Sequence, residues 1–212
     1  MVHQLRLFLI FSLCWSAFAQ DERYYRQILN GELPLLGQEI REVQEHQFNV
    51  KGASYTFDLN DDGMEEIIQP QKRDGVDWIE IKSLLQTKIF EAKLLAMGGE
   101  SVLYKVKVAH LSKTTKVLIL FLDEGKTNGR RFESTARIFL ITFDNNDLTT
   151  MHITQGPHHF HEKEGQREQY WRKDYSVDVR DVDKNGVRDV VVEFGHIQRV
   201  MLYMGKGEWE RL

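Results

Sequence analysis

The residues best equipped for chemistry stand in two short runs. FDLNDDGMEEII (57–68) places Asp58, Asn60, Asp62, Gly63 and Glu66 in the order and spacing that VRDVDKNGVRDVVVEF (179–194) repeats with Asp181, Asp183, Asn185, Gly186 and Asp189. Each run reads oxygen, gap, oxygen, gap, oxygen, glycine, gap, gap, carboxylate, and then aliphatic residues. An alternating segment headed by an aromatic precedes both, YTFDLN in one case and YSVDVRDVD in the other, so the chain carries an internal repeat. The chemistry these residue types suit is capture of a hard cation. Calcium takes roughly six to eight oxygens at about 2.3–2.6 Å, and a tight loop with alternate residues facing inward supplies them. The backbone carbonyls of Met64 and Val187 stand at the seventh position, where the side chain is free to vary. The glycine at the sixth permits the sharp turn. Three carboxylates crowded together oppose one another's ionisation, and a divalent ion relieves that repulsion.

Asp, Asn and Gly also make ordinary hairpin turns, which is the bland reading of either loop alone. Lys184 and Arg188 lie within the second run and are placed to offset part of its charge. Two runs with the same grammar in the same context favour metal, and calcium over magnesium because the oxygens are numerous. An EF-hand is excluded at the twelfth position, which needs a bidentate acid but holds Gln69 and Val192. The exit segments EEIIQP and RDVVVEF also read as strands.

These runs resemble the FG-GAP and VCBS repeats, whose pattern of aspartates around a glycine precedes a hydrophobic strand. The resemblance implies strand–loop–strand calcium sites of the kind found between strands of a β-propeller blade, as in the integrin α-subunit head. It implies Asp58, Asn60, Asp62 and Glu66 as side-chain ligands in one site and Asp181, Asp183, Asn185 and Asp189 in the other. Glu66 stands where the family has aspartate, and Asn185 replaces the commoner aspartate at the fifth position. The likeness covers about 30 residues around each loop. The loops lie 123 residues apart, and LDEGKTNGRR and FDNNDLTT between them do not satisfy the grammar.

A second cluster, GPHHFHEKEG (156–165), holds His158, His159 and His161. In a regular strand His159 and His161 would share a face, a pair suited to zinc or copper with Glu162 or His152 in support. Its glycine, proline and charges favour a solvated loop instead. Signatures of catalysis are missing: DEGKT (123–127) has Leu120 where a phosphate loop needs glycine, and no G-x-S-x-G or HExxH occurs. His196 reads as a sheet-edge residue. Trp78, Tyr104, Phe139, Tyr203 and Trp209 read as core, and Trp171 as either core or a partner contact.

The elements that must position the loops read as strands. Period-two or continuous apolar patterns fall at 54–60, 65–70, 77–83, 100–112, 115–125, 136–147, 148–154, 175–181, 188–195 and 198–210, with 88–97 ambiguous between strand and helix. In 100–112 the alternation sets Val102, Tyr104, Val106 and Val108 against Lys105 and Lys107, whereas 115–125 is apolar throughout, as a strand covered on both faces should be. About ten strands with short connections imply a mainly β, antiparallel domain over 48–212. Ten strands are too few to close a propeller of four-stranded blades, so the expectation is an incomplete, capped or self-associating propeller-like array, or another β architecture. Residues 20–47 form the one helix-like zone, with Ile40 and Val43 in its second half.

Segment 1–19, with Arg6, an apolar run and Ala17-Phe18-Ala19, reads as a secretory signal peptide too short for a membrane span. Its removal takes away Cys14, the single cysteine, and changes the net charge from −4 to −5 because Arg6 leaves with it. A mildly acidic chain without disulfides suits a cation better than a nucleic acid. The expectation is a secreted or periplasmic calcium-binding β protein, calcium being structural, that binds a protein or carbohydrate surface and has no transmembrane segment once mature. The alternatives are a calcium-stabilised extracytoplasmic hydrolase and a metal-free structural subunit of an envelope assembly.

Overall fold

Continuous apolar character in 115–125 demands cover on two faces, and the fold supplies it. The computed structural model describes residues 40–43, 54–95, 101–126, 133–164 and 170–212. In chain order the strands are β1 (Ile40–Val43), β2 (Tyr55–Phe57), β3 (Glu66–Arg73), β4 (Val76–Lys82), β5 (Lys88–Leu94), β6 (Val102–His110), β7 (Thr115–Lys126) and β8 (Glu133–Asp144). A 3₁₀ turn at Leu148–Thr150, capped by Asp147, leads to β9 (His152–Glu164), β10 (Tyr170–Asp174), β11 (Ser176–Arg180), β12 (Asp189–Phe194), β13 (Ile197–Gly205) and β14 (Glu208–Arg211). All pairings are antiparallel.

They form three sheets: β1-β6-β7-β8-β9-β10 in the centre, and two four-stranded meanders, β2-β3-β4-β5 and β11-β12-β13-β14. Side chains alternate across β7. Leu118, Leu120 and Leu122 enter one core with Ile68, Ile79 and Ile81 of the first meander, while Val117, Ile119 and Phe121 enter another with Val177, Val190 and Val192 of the second. The six-stranded sheet is therefore covered by a meander on each face. Full burial of a Leu or Ile contributes roughly 1.5–3 kcal/mol, so these two cores are the main support of a chain whose single cysteine allows no internal disulfide.

The six-stranded sheet curls into a half-barrel. Neighbouring strands stand about 4.8 Å apart, so β6 and β9, three places removed, would lie roughly 14 Å apart in a flat sheet. Yet Tyr104 of β6 hydrogen-bonds His159 of β9 across the ring of Phe121, which meets His159 edge-on at 5.1 Å.

Several expectations need correction. Ile40 and Val43, read as helical, lie in β1, where Val43 stands opposite Val106 and the open edge of β6 takes up the backbone hydrogen bonds. The rest of the expected helical zone and the signal segment lie outside the described residues. The ambiguous 88–97 is a strand over 88–94. The strand expected at 148–154 begins only at His152, after the 3₁₀ turn. The histidine-rich run is no loop over 156–164 but part of β9, and β10 was not foreseen at all. Trp78 lies half-buried beneath the Arg73 guanidinium rather than in the core, and Trp171 is exposed.

Tyr104 does not share a face with Val106 and Val108. The register slips between Leu103 and Lys105, so Leu103 joins Val106 in the first core and Tyr104 packs on Phe121 beside the second. An added residue reverses which way the next side chain points.

Candidate metal centre

Each meander opens with its acidic loop, β2 to β3 in one and β11 to β12 in the other, and the two loops fold alike bond for bond. In the first, Asp58 accepts from the amides of Asp62 (3.2 Å) and Gly63 (3.0 Å), Asn60 from that of Asp62 (3.1 Å), and Asp62 from that of Met64 (2.7 Å). In the second, Asp181 accepts from Asn185 (3.1 Å) and Gly186 (2.9 Å), Asp183 from Asn185 (3.1 Å), and Asn185 from Val187 (2.7 Å). An asparagine amide closes each ring, Asn60 to Asp62 at 2.8 Å and Asn185 to Asp183 at 2.9 Å. Backbone φ is positive at the fourth and sixth positions of both: +61° and +86° at Asp61 and Gly63, +62° and +87° at Lys184 and Gly186. Glycine is the residue that adopts the sixth without cost.

The ninth position anchors each loop. Glu66 is 4 % exposed and accepts from the Leu59 amide at 2.8 Å; Asp189 is fully buried and accepts from Val182 and from Tyr203 of β13, both at 3.0 Å. Burial pushes both carboxyls above their ordinary values. The amide bonds oppose this, and the neighbouring acids reinforce it, Asp62 and Asp58 for Glu66, Asp183 and Asp181 for Asp189.

The loops differ in how their acids converge. Asp181, Asp183 and Asp189 bring one oxygen each to within 4.8 Å of one another, and no other such triad of acids, histidines or cysteines occurs among the described residues. The first loop carries its carboxylates at positions one, five and nine, and Asp58, Asp62 and Glu66 do not gather this way. Position three is the difference: it is Asp183 in one loop and Asn60 in the other. The side chains of Met64 and Val187 stand 60 % exposed and half-buried.

Basic residues meet the loops differently as well. Lys116 of β7, its side chain 5 % exposed, donates to the Leu59 carbonyl at 2.8 Å and to Asp61 at 2.6 Å. Burial opposes the charge on Asp61, but Lys116 and Asn146 hold its carboxyl below the usual value. In the second loop Arg188 turns away from the acids to the His110 carbonyl (3.4 Å), and its amide meets the Leu111 carbonyl (2.8 Å). Among the described residues no lysine or arginine is ion-paired with Asp181, Asp183 or Asp189. The neutralisation expected from Arg188 is therefore not made.

His159 and His161 do not form the pair that a regular strand would make. A bulge at His159 breaks the alternation of β9, where the partner of Ala136 is Phe160 and that of Arg137 is His158. His159 turns to Tyr104, while His161 meets Glu133 at 3.0 Å and the edge of Trp171. His158 joins a buried group that sequence patterns did not reveal. Glu124, 1 % exposed, accepts from Arg137 (3.0 Å) and Thr135 (2.8 Å) and lies 2.8 Å from His158. Burial opposes its ionisation, but His158, Thr135 and Arg137 hold its carboxyl at about 2. Three strands supply these residues. The one local signal was a glutamate and an arginine inside otherwise apolar strands. Closely bonded on every side, the cluster reads as a structural tie. His196 is exposed in the turn before β13.

Compared with protein-family models, curated proteins and solved structures, the chain has no significant match.

Proposed function

We propose that this is an exported calcium-binding β scaffold in which the metal is structural and the sheets present a binding surface. The observation that carries the proposal is the gathering of Asp181, Asp183 and Asp189 in a loop whose bond pattern recurs, residue for residue, at 58–66. A carboxylate triad without a basic partner suits a divalent cation, and Asp189 gives it a fixed, buried foundation. Asp181, Asp183, Asp189, the Asn185 oxygen and the Val187 carbonyl would hold calcium; Asp58, Asn60, Asp62, Glu66 and the Met64 carbonyl would hold a second ion less tightly. Bound calcium would supply positive charge to loops that otherwise repel themselves. The two meanders then read as blade-like repeats of the FG-GAP and VCBS kind, set on either side of a shared six-stranded sheet. Export rests on the leader-like segment 1–19, and the partner class is a protein or carbohydrate surface.

Thermal melting in excess calcium and in excess chelator tests the reading. Calcium at about a hundred times its dissociation constant stabilises by roughly 2.7 kcal/mol, so chelation should lower the midpoint by several degrees. An unchanged midpoint removes calcium from the structural role.

A further inference from the structure

A groove of 570 Å³ lies within the curl of the six-stranded sheet, in the range of about 300–1,000 Å³ usual for small-molecule sites. No residue of either acidic loop lines it. Lys105 and Lys107 of β6 form one side, and Phe121, Ala136 and His159 lie on the strands between. The other side is the extended run from Arg172 in β10 to Asp178 in β11. Alternation along that run turns Arg172, Asp174, Ser176 and Asp178 outward, all four exposed, while Tyr175 and Val177 turn into the second core. The groove is therefore open along this side, which suits a chain-like ligand better than an enclosed one.

Three observations say what would enter. First, bases and acids are mixed along the walls. Arg172 donates to Asp174 at 3.0 Å. Burial disfavours the charge on Lys105, Lys107 adds to this, and Asp174 opposes it; on Lys107 burial is opposed by Asp178. With acids beside its bases the groove calls for no counter-ion, and it offers an uncharged ligand both donors and acceptors. Secondly, polar and aromatic groups stand side by side. Tyr104 and Phe160 are only half-buried, Arg172 lies over the Phe160 ring at 5.0 Å, and Lys105 lies over that of Phe121 at 5.2 Å. Thirdly, His159 lines the groove at 3 % exposure, and its Nδ1 has no hydrogen-bond partner among the described residues. Such an atom in a native fold calls for an explanation, and a missing ligand supplies one. Burial pushes this imidazole down to about 4, so the ring is neutral, with Nε2 bonded to the Tyr104 hydroxyl. A ligand hydroxyl satisfies Nδ1 in either tautomer, because it both donates and accepts.

We propose that this groove binds a neutral oligosaccharide, with C–H faces of its rings against Tyr104 and Phe160 and its hydroxyls bonded to Asp174, Ser176 and Asp178. The assignment rests on the reading of the sheets as a binding surface, and names carbohydrate as what that surface takes. A sugar ring joins an apolar face to hydroxyls that donate and accept, the same mixture that this lining holds. A purely aromatic ligand would desolvate the polar walls without replacing their bonds to water. An anionic one would meet the carboxylates of Asp174 and Asp178.

The test applies the full chain, in calcium, to an array of immobilised neutral and uronic-acid oligosaccharides, and then titrates the neutral glycan that binds best by calorimetry. Neutral glycans should bind, with acidic ones at least tenfold weaker. Asp174→Ala and Asp178→Ala should each weaken the glycan about tenfold, the loss expected for one charge-assisted bond. Both side chains are exposed, so the melting midpoint should hold. Glu208→Ala, on β14 at the far edge of the second meander from β11, should change nothing. If either aspartate variant fails to fold, the His159 ring resonances of the unmodified protein decide, since bound glycan must shift them. Calcium uptake is measured separately: a chain that takes up calcium and binds no glycan loses this assignment and keeps its metal sites, and the converse result does the reverse. Binding of no glycan, equal or tighter binding of acidic glycans, indifference to both aspartate substitutions, or unmoved His159 resonances would each overturn the assignment.

Discussion

The two acidic loops share a backbone and differ in their charge. Both wrap the same amides with the same side-chain oxygens, and both seat a buried carboxylate at the ninth position. The first receives a protein cation, Lys116, which reaches its fourth residue and a carbonyl. Among the described residues the second receives none, and it alone gathers three carboxylates. One backbone can therefore carry two arrangements of charge. They differ in which of positions three and five holds aspartate, and in whether the neighbouring sheet supplies a positive charge.

The comparison breaks most sharply at the ninth position. Asp189→Ala would strand the Val182 and Tyr203 amides in a fully buried place, at roughly 1–3 kcal/mol for each unsatisfied group, whereas Glu66→Ala strands only that of Leu59. Urea unfolding in chelator should show the first loss at about twice the second. Equal losses would mean that Asp189 is no better anchored than Glu66.

Lys116→Met should cost about 2 kcal/mol by leaving the Leu59 carbonyl and Asp61 without their partner. The same variant should leave the calcium response of the second loop intact, read as the calcium-dependent change in midpoint. A lost response would show that the two loops are coupled.

Gly63→Ala and Gly186→Ala test the shared backbone. A Cβ at either would meet nothing within 4 Å, so only the left-handed φ opposes it, at about 1–2 kcal/mol. The two losses should agree closely in thermal or urea unfolding. A large difference would deny that the loops are equivalent.

The smallest effect is in pH. Glu66 and Asp189 titrate above the reference values of 4.5 and 3.8, so in the window just above those values the folded chain holds protons that the unfolded chain has released. Their contribution to calcium-free stability therefore falls as pH rises through that window. Glu124, held at about 2, acts in the opposite sense and loses its contribution on acidification. The two are separated by comparing wild type with Asp189→Asn in chelator. The variant should gain relative to wild type as pH rises to neutrality. The same difference should vanish or reverse in calcium, which binds the ionised carboxylate.

The loops and β7 were legible because each is a local pattern. Alternate oxygens around Gly63 and Gly186 fix the turn whatever lies beyond it, and an unbroken run such as Val117–Leu122 needs cover on both faces wherever it sits. What escaped depended on partners distant in the chain. The bulges at Tyr104 and His159 arise because cross-strand registers slip, and nothing in YKVKV or PHHFH reports what lies opposite. Lys105 and Lys107 read only as the side of β6 opposite its valines, and alternation does not say that this side is half-buried. Glu124, Arg137 and His158 meet only after three strands pair. Gly156 is a further case, since a Cβ there would fall 2.5 Å from Ile138, a constraint set by the neighbouring strand.

The most direct test is calcium stoichiometry by isothermal titration calorimetry, with Asp181→Asn and Asp58→Asn alongside the unmodified chain. The account predicts saturable uptake whose tighter component disappears in Asp181→Asn and survives in Asp58→Asn. Absence of calcium uptake by the unmodified chain, or loss of the tighter component only in Asp58→Asn, would contradict it.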